Sequence, residues 1–139
     1  MIGRRFLDVA VDLVRGTTEA HWRSAAGRAY YALLVEARDL IAQWGLSPPP
    51  RDKTHHALRH RFFAANDADL AQVSRDLEAL GRTRNSADYD TALPGVFAND
   101  SRANDVIRIA SAAIALLDAV NANPQRRKTA IDAIRRIFP

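Results

Sequence analysis

Residues 19–44 read EAHWRSAAGRAYYALLVEARDLIAQW, and this stretch decides the fold class. Tyr30, Leu33, Leu34, Ala37, Leu40, Ile41 and Trp44 recur at three- and four-residue intervals, the spacing of one face of an α-helix. Gly45 and the run Ser47-Pro48-Pro49-Pro50 stop the pattern, because proline cannot continue a helix. Thr17 or Thr18 can cap its start. Tyr30 and Tyr31 lie about 100° apart on such a helix, so at most one of them faces the core fully.

The same periodicity extends outward in both directions. Upstream, Phe6, Val9, Ala10, Leu13 and Val14 predict a first helix that Gly16 is placed to end. Asp8 and Asp12 interrupt the apolar run of MIGRRFLDVAVDLVRG, so it reads as a helix rather than a secretory leader. Downstream, Lys53 to Phe63 predicts a shorter third helix, with Thr54 as a cap. Asn66 and Asp67 break the chain and can cap a fourth, whose stripe is Leu70, Val73, Leu77 and Leu80. That helix continues through Arg84 towards Tyr89, and residues 91–99, with Pro94 and Gly95, read as a loop. Ser101 can cap a fifth helix carrying Val106, Ile109, Ala113, Leu116, Leu117 and Val120. Asn123 and Pro124 open a last, short one with Ile131, Ile134, Ile137 and Phe138 on its apolar side. No period-two alternation is sustained. The expectation is a single all-α domain over residues 1–139, an up-and-down bundle of five to six helices.

Composition narrows the chemistry. The absence of cysteine excludes disulfides, thiolate metal sites and a cysteine nucleophile. No apolar run is long enough to span a bilayer, so the expectation is a cytoplasmic protein without membrane attachment. The formal net charge is +4, and only Lys53 and Lys128 are lysines. Arginine forks suit phosphate and carboxylate partners, although a GC-rich coding sequence raises arginine content equally well. There is no Walker-type loop, no dinucleotide fingerprint and no nucleophile elbow, and no cofactor is expected. His56 and His60 have the spacing of two metal ligands on one helix, but no third ligand motif accompanies them. They read as part of a basic, titratable helix face, and no metal site is expected.

The most informative segment is Arg82-Thr83-Arg84-Asn85-Ser86-Ala87-Asp88-Tyr89-Asp90. Arg84 is four residues after Leu80, so it continues the apolar stripe and its stem points inward. A half-buried guanidinium needs a partner, and Asp88 supplies one a turn later, with the Tyr89 hydroxyl expected nearby. The bland alternative is a helix ion pair worth roughly 0.3–0.5 kcal/mol if exposed.

Three segments in order resemble the successive signatures of HEPN domains: Arg28-Ala29-Tyr30-Tyr31-Ala32-Leu33-Leu34, then Lys53-Thr54-His55-His56, then Arg84-Asn85-Ser86-Ala87-Asp88-Tyr89-Asp90. The resemblance covers residues 6–117. It implies a HEPN-like bundle, usually a homodimer, with the polar residues of the fourth helix near the dimer cleft. It further implies a toxin–antitoxin or defence setting, often beside a nucleotidyltransferase partner, and in many members metal-independent RNA cleavage. The active pattern, however, is an arginine followed four to six residues later by a histidine, and no histidine follows His60 here. The site residues expected from these motifs are Arg84 and Asp88 for any catalysis. Asn85, Tyr89, Arg28, Tyr31, His55 and His56 are expected to bind a nucleotide, RNA or the partner. Three readings follow: such a binding protein, a ribonuclease toxin with an altered acid/base set using His55 or His56, and a non-catalytic structural interaction module.

Overall fold

The computed structural model describes residues 2–47, 54–90 and 95–139. The expected proline stop at 48–50, Lys53, the capping side chain of Thr54 and residues 91–94 of the expected loop lie outside it. The described residues form six α-helices and one short 3-10 helix. They are α1 (Gly3–Val14), α2 (Glu19–Gln43), α3 (Thr54–Ala64), α4 (Ala68–Tyr89), α5 (Ser101–Ala122) and α6 (Pro124–Ile137), with the 3-10 turn at Gly95–Phe97.

Helix α2 is the axis of the bundle, packing on α1, α4 and α5 and only lightly on its sequence neighbour α3. It can take partners on several sides because its small residues are buried all round: Ala25, Ala26, Ala29, Ala32 and Ala37 have no exposed surface. The expected stripe from Tyr30 to Trp44 is buried throughout. Leu70, Val73, Leu77 and Leu80 of α4 close on it, with Val106, Ala110, Leu117 and Val120 of α5 behind. Phe62 from α3 and Phe97 from the 3-10 turn are the largest fully buried side chains.

The helix ends follow local chemistry. The Thr18 side chain accepts from the backbone N–H of His21, and Asp67 accepts from those of Asp69 and Leu70. Asn123 caps α6, with Pro124 in its first turn, and that helix runs 14 residues, longer than expected. Gly45 takes a left-handed φ of 76°, which lets the N–H of Leu46 close back on the Ile41 carbonyl at 3.1 Å. Ser101 is not a cap. It is the first residue of α5, and its own N–H is held by Asn99 Oδ1 at 2.9 Å. Val9 and Ile137 leave the core stripes assigned to them, being about half exposed at 44% and 49%. Both sit at the outer border of a peripheral helix.

One buried charge ties this frame together. The Arg23 guanidinium on α2 donates to the carbonyls of Ser86 and Ala87 at 2.9 and 3.0 Å, in the last turn of α4. It also pairs with Glu19 one turn back at 2.6 Å and lies 4.9 Å over the Phe97 ring. Helix C-termini leave carbonyls without intrahelical partners, and a cation there also meets the negative end of the helix dipole. Arg23→Ala is therefore expected to lower unfolding free energy by about 1.5–3 kcal/mol, the range for hydrogen bonds to charged groups. Urea denaturation followed by circular dichroism checks this; an unchanged midpoint would mean that the last turn of α4 holds itself.

Candidate functional site

The apolar stripe of α4 turns polar at Arg84, one turn after Leu80. Its side chain is half-buried, at 21% exposure, and the guanidinium is held from three directions. Nη2 donates to the Tyr31 hydroxyl at 2.7 Å, and Nη1 donates to Asn85 Oδ1 at 3.2 Å. Nε lies 3.0 Å from Asp88 Oδ2. That Nε is buried and its N–H makes no hydrogen bond, so the contact with Asp88 is ionic without being well directed. The guanidinium carbon also sits 5.3 Å from the Tyr31 ring centroid. A guanidinium has five N–H donors, so N–H groups on Nη1 and Nη2 remain for a ligand. The pair with Asp88 orients Arg84 more than it stabilises the fold, since Asp88 is 40% exposed.

A histidine reaches this site from α3. Tyr30 is buried, and its hydroxyl hydrogen-bonds His55 Nδ1, with the two rings stacked 5.5 Å apart. Tyr31 completes the cluster, 5.5 Å from Tyr30 and 6.3 Å from His55 between ring centroids. Burial pushes the Tyr30 phenol up to about 12. Partial burial, then the positive charges of Arg84 and Arg59, hold His55 below its ordinary value. Both groups are therefore neutral near pH 7. The hydrogen bond between the Tyr30 hydroxyl and Nδ1 fixes the orientation of the imidazole ring.

Arg84 stands between two hollows. One, about 240 Å³, lies between α3 and α4 and is lined by Tyr30, His55, His56, Arg59, Arg84 and Asn85 among others. The other, about 300 Å³, lies between α2 and α4 and is lined by Ser24, Gly27, Arg28, Tyr31, Arg84 and Asp88. Gly27 forms part of the wall of the second hollow, and a Cβ there would meet Asp88 Oδ1 at 4.0 Å, an ordinary van der Waals contact. Arg28 leans over the Phe6 ring at 5.8 Å.

Seven of the eight residues singled out from the sequence thus line one hollow or the other. Tyr89 does not. It is 75% exposed and lines neither, because five residues along a helix place it about 140° round from Arg84. His55 and Asp88 line different hollows, so they do not act on one another directly. His56 accepts from Arg59 at 3.3 Å, whereas His60 turns edge-on to Phe138. The two metal-spaced histidines therefore take separate partners. Among the described residues, no group of three or more His, Asp or Glu side chains could hold a metal ion. Likewise no described helix is long and apolar enough to cross a membrane. Sequence reasoning treated Tyr30 as core, placed Arg59 only in the basic face of the third helix, and passed over Gly27.

Searches against family models, curated proteins and solved structures found no match.

Two titrations test the electrostatics. Arg84→Ala removes one of the charges that disfavour imidazolium, so the His55 pKa should rise towards 6.5 while burial still holds it lower; proton NMR reads this directly. On the alkaline side the unfolded chain ionises Tyr30 near 10, while the folded chain holds the proton to about 12. Stability should therefore fall as pH rises across that interval, and Tyr30→Phe should flatten that part of the curve. A pH–stability profile that the substitution leaves unchanged would contradict the assignment.

Proposed function

We propose that this chain is a HEPN-type protein that holds RNA, or a nucleotide's phosphate, against Arg84 in the hollow between α3 and α4. The observation that carries the reading is the convergence of Arg84, Arg59 and His55 on one open hollow. Guanidinium forks match phosphate oxygens, and an imidazole beside them adds a further polar group to the hollow. The three motif segments resembling HEPN domains contribute Tyr30 and Tyr31, His55 and His56, and Arg84 and Asn85 to this region. On the same reading the protein is a homodimer that brings two such sites to a shared cleft. It works in a toxin–antitoxin or defence setting, with a nucleotidyltransferase as its protein partner.

Binding is favoured over cleavage by the placing of the candidate bases. Attack by a ribose 2′-hydroxyl needs a base, and His55 Nδ1 is already engaged by the Tyr30 hydroxyl. Asp88, paired with Arg84, lines the other hollow. The second reading is a metal-independent ribonuclease in which His55 takes the proton and Arg84 stabilises the phosphate. It rests on the same closeness of His55 to Arg84.

Arg84→Ala should weaken binding of a short oligoribonucleotide by about 10–100-fold and lower the log–log salt dependence by about one. Arg84→Lys should restore the salt dependence but not the full affinity, because an ammonium lacks the fork. Fluorescence anisotropy across a salt series measures both. Unchanged affinity in a folded Arg84→Ala variant defeats the reading. Cleavage of RNA by the purified protein, lost in His55→Ala, would instead select the nuclease.

A further inference from the structure

The hollow at Arg84 does not end at Arg59. A second depression of about 250 Å³ continues along α3 and α4, lined by His56, Arg59, His60, Phe63, Ser74 and Glu78. His56, Arg59 and Glu78 line both depressions, so the two adjoin along a groove between α3 and α4. His56, Arg59, His60 and Phe63 follow the three- and four-residue spacing of one α3 face. The Ser74 hydroxyl donates to the Arg59 carbonyl at 2.9 Å, which fixes α3 against α4 and gives the groove a firm floor. Its one carboxylate, Glu78, is taken up by Arg82 at 2.6 Å. Its positive charge comes chiefly from Arg84 and Arg59, of which Arg59 alone lines the depression at Phe63.

At the far end stands Phe63, 65% exposed. A large aromatic side chain left in water lacks the apolar burial that usually repays its exposure. Beside Arg59 it has the arrangement used to hold unpaired nucleic acid: charge meets the phosphate while a flat ring receives a base. Arg59 and Phe63 are four residues apart, roughly 6 Å along the helix axis, so one nucleotide can place its phosphate on the first and its base on the second.

We infer that the groove between α3 and α4 is a track for a single-stranded polynucleotide, in which Phe63 stacks an unpaired base one step beyond the phosphate held by Arg59. This extends the phosphate site at Arg84 and rests on that reading. It adds a base-contacting subsite on α3 that neither the Arg84 segment nor its neighbours contain. A protein surface seated on Phe63 is the competing occupant.

The test compares a labelled single-stranded oligoribonucleotide with the same oligomer made abasic, by fluorescence anisotropy on the full chain. Wild type should bind the intact oligomer more tightly. Phe63→Ala should weaken that binding by roughly 5–100-fold and leave the abasic oligomer nearly unaffected, while Phe63→Trp should preserve the preference. Equal binding of both oligomers by wild type, or no binding of either, overturns the inference without recourse to a variant. So does a Phe63→Ala variant that binds as wild type does, or one that changes the oligomeric state in light scattering, since Phe63 would then belong to a protein interface. Arg84→Ala serves as the separate arm. If it alone leaves both affinities intact, the Arg84 reading fails while the base preference at Phe63 still stands.

Discussion

The polar half of this molecule depends on where the last turn of α4 lies, and a buried cation on another helix decides that. Arg23 reaches from α2 to the carbonyls of Ser86 and Ala87, and Phe97 covers its guanidinium. Apolar burial supplies most of the stability, but it is non-directional and would accept small rotations of a helix end. Hydrogen bonds from a guanidinium to two specific carbonyls do not. Because Arg84 and Asp88 share that turn with the carbonyls, fixing one fixes the others. Glu19, one turn before Arg23, offsets a charge that would be costly to bury alone.

With the turn held, Arg84 becomes a partition rather than one half of an ion pair. Tyr31, Asn85 and Asp88 each engage one nitrogen of its fork, and the hollows open on either side. The hollow facing α3 gathers Arg84, Arg59 and His55, with Glu78 as its carboxylate. The hollow facing α2 sets Arg28 and Arg84 beside the carboxylate of Asp88.

Burial sets the protonation states that complete this division. Tyr30 stays protonated because a phenolate would be desolvated in the core. His55 stays neutral because part of its ring is buried and two guanidinium groups lie close by. A neutral tyrosine and a neutral histidine share one hydrogen bond. That bond and the stacked rings of Tyr30, Tyr31 and His55 hold the imidazole in place at the edge of the hollow.

The sequence alone was enough for the helices and for much of the core. A three- and four-residue repeat of apolar residues can be buried in only one regular way, and Gly45, Asp67, Asn123 and Pro124 act within a few residues of their own positions. The Arg84–Asp88 pair was legible for the same reason, since i,i+4 neighbours meet on any helix. What the sequence could not reveal is separated along the chain by long intervals. Arg23 meets Ser86 and Ala87 from 63 and 64 residues away, Arg84 meets Tyr31 across 53, and Tyr30 meets His55 across 25. Such meetings depend on how α2, α3 and α4 rotate against one another, and periodicity carries no information about that rotation. The placement of Tyr89 marks the limit. Adjacency to Asp88 in sequence suggested a shared site, but helical geometry turned its ring to the solvent. Only the packing of whole helices brought His55 to Arg84, because a side chain's neighbours across a core are set by the sum of all the contacts that close it.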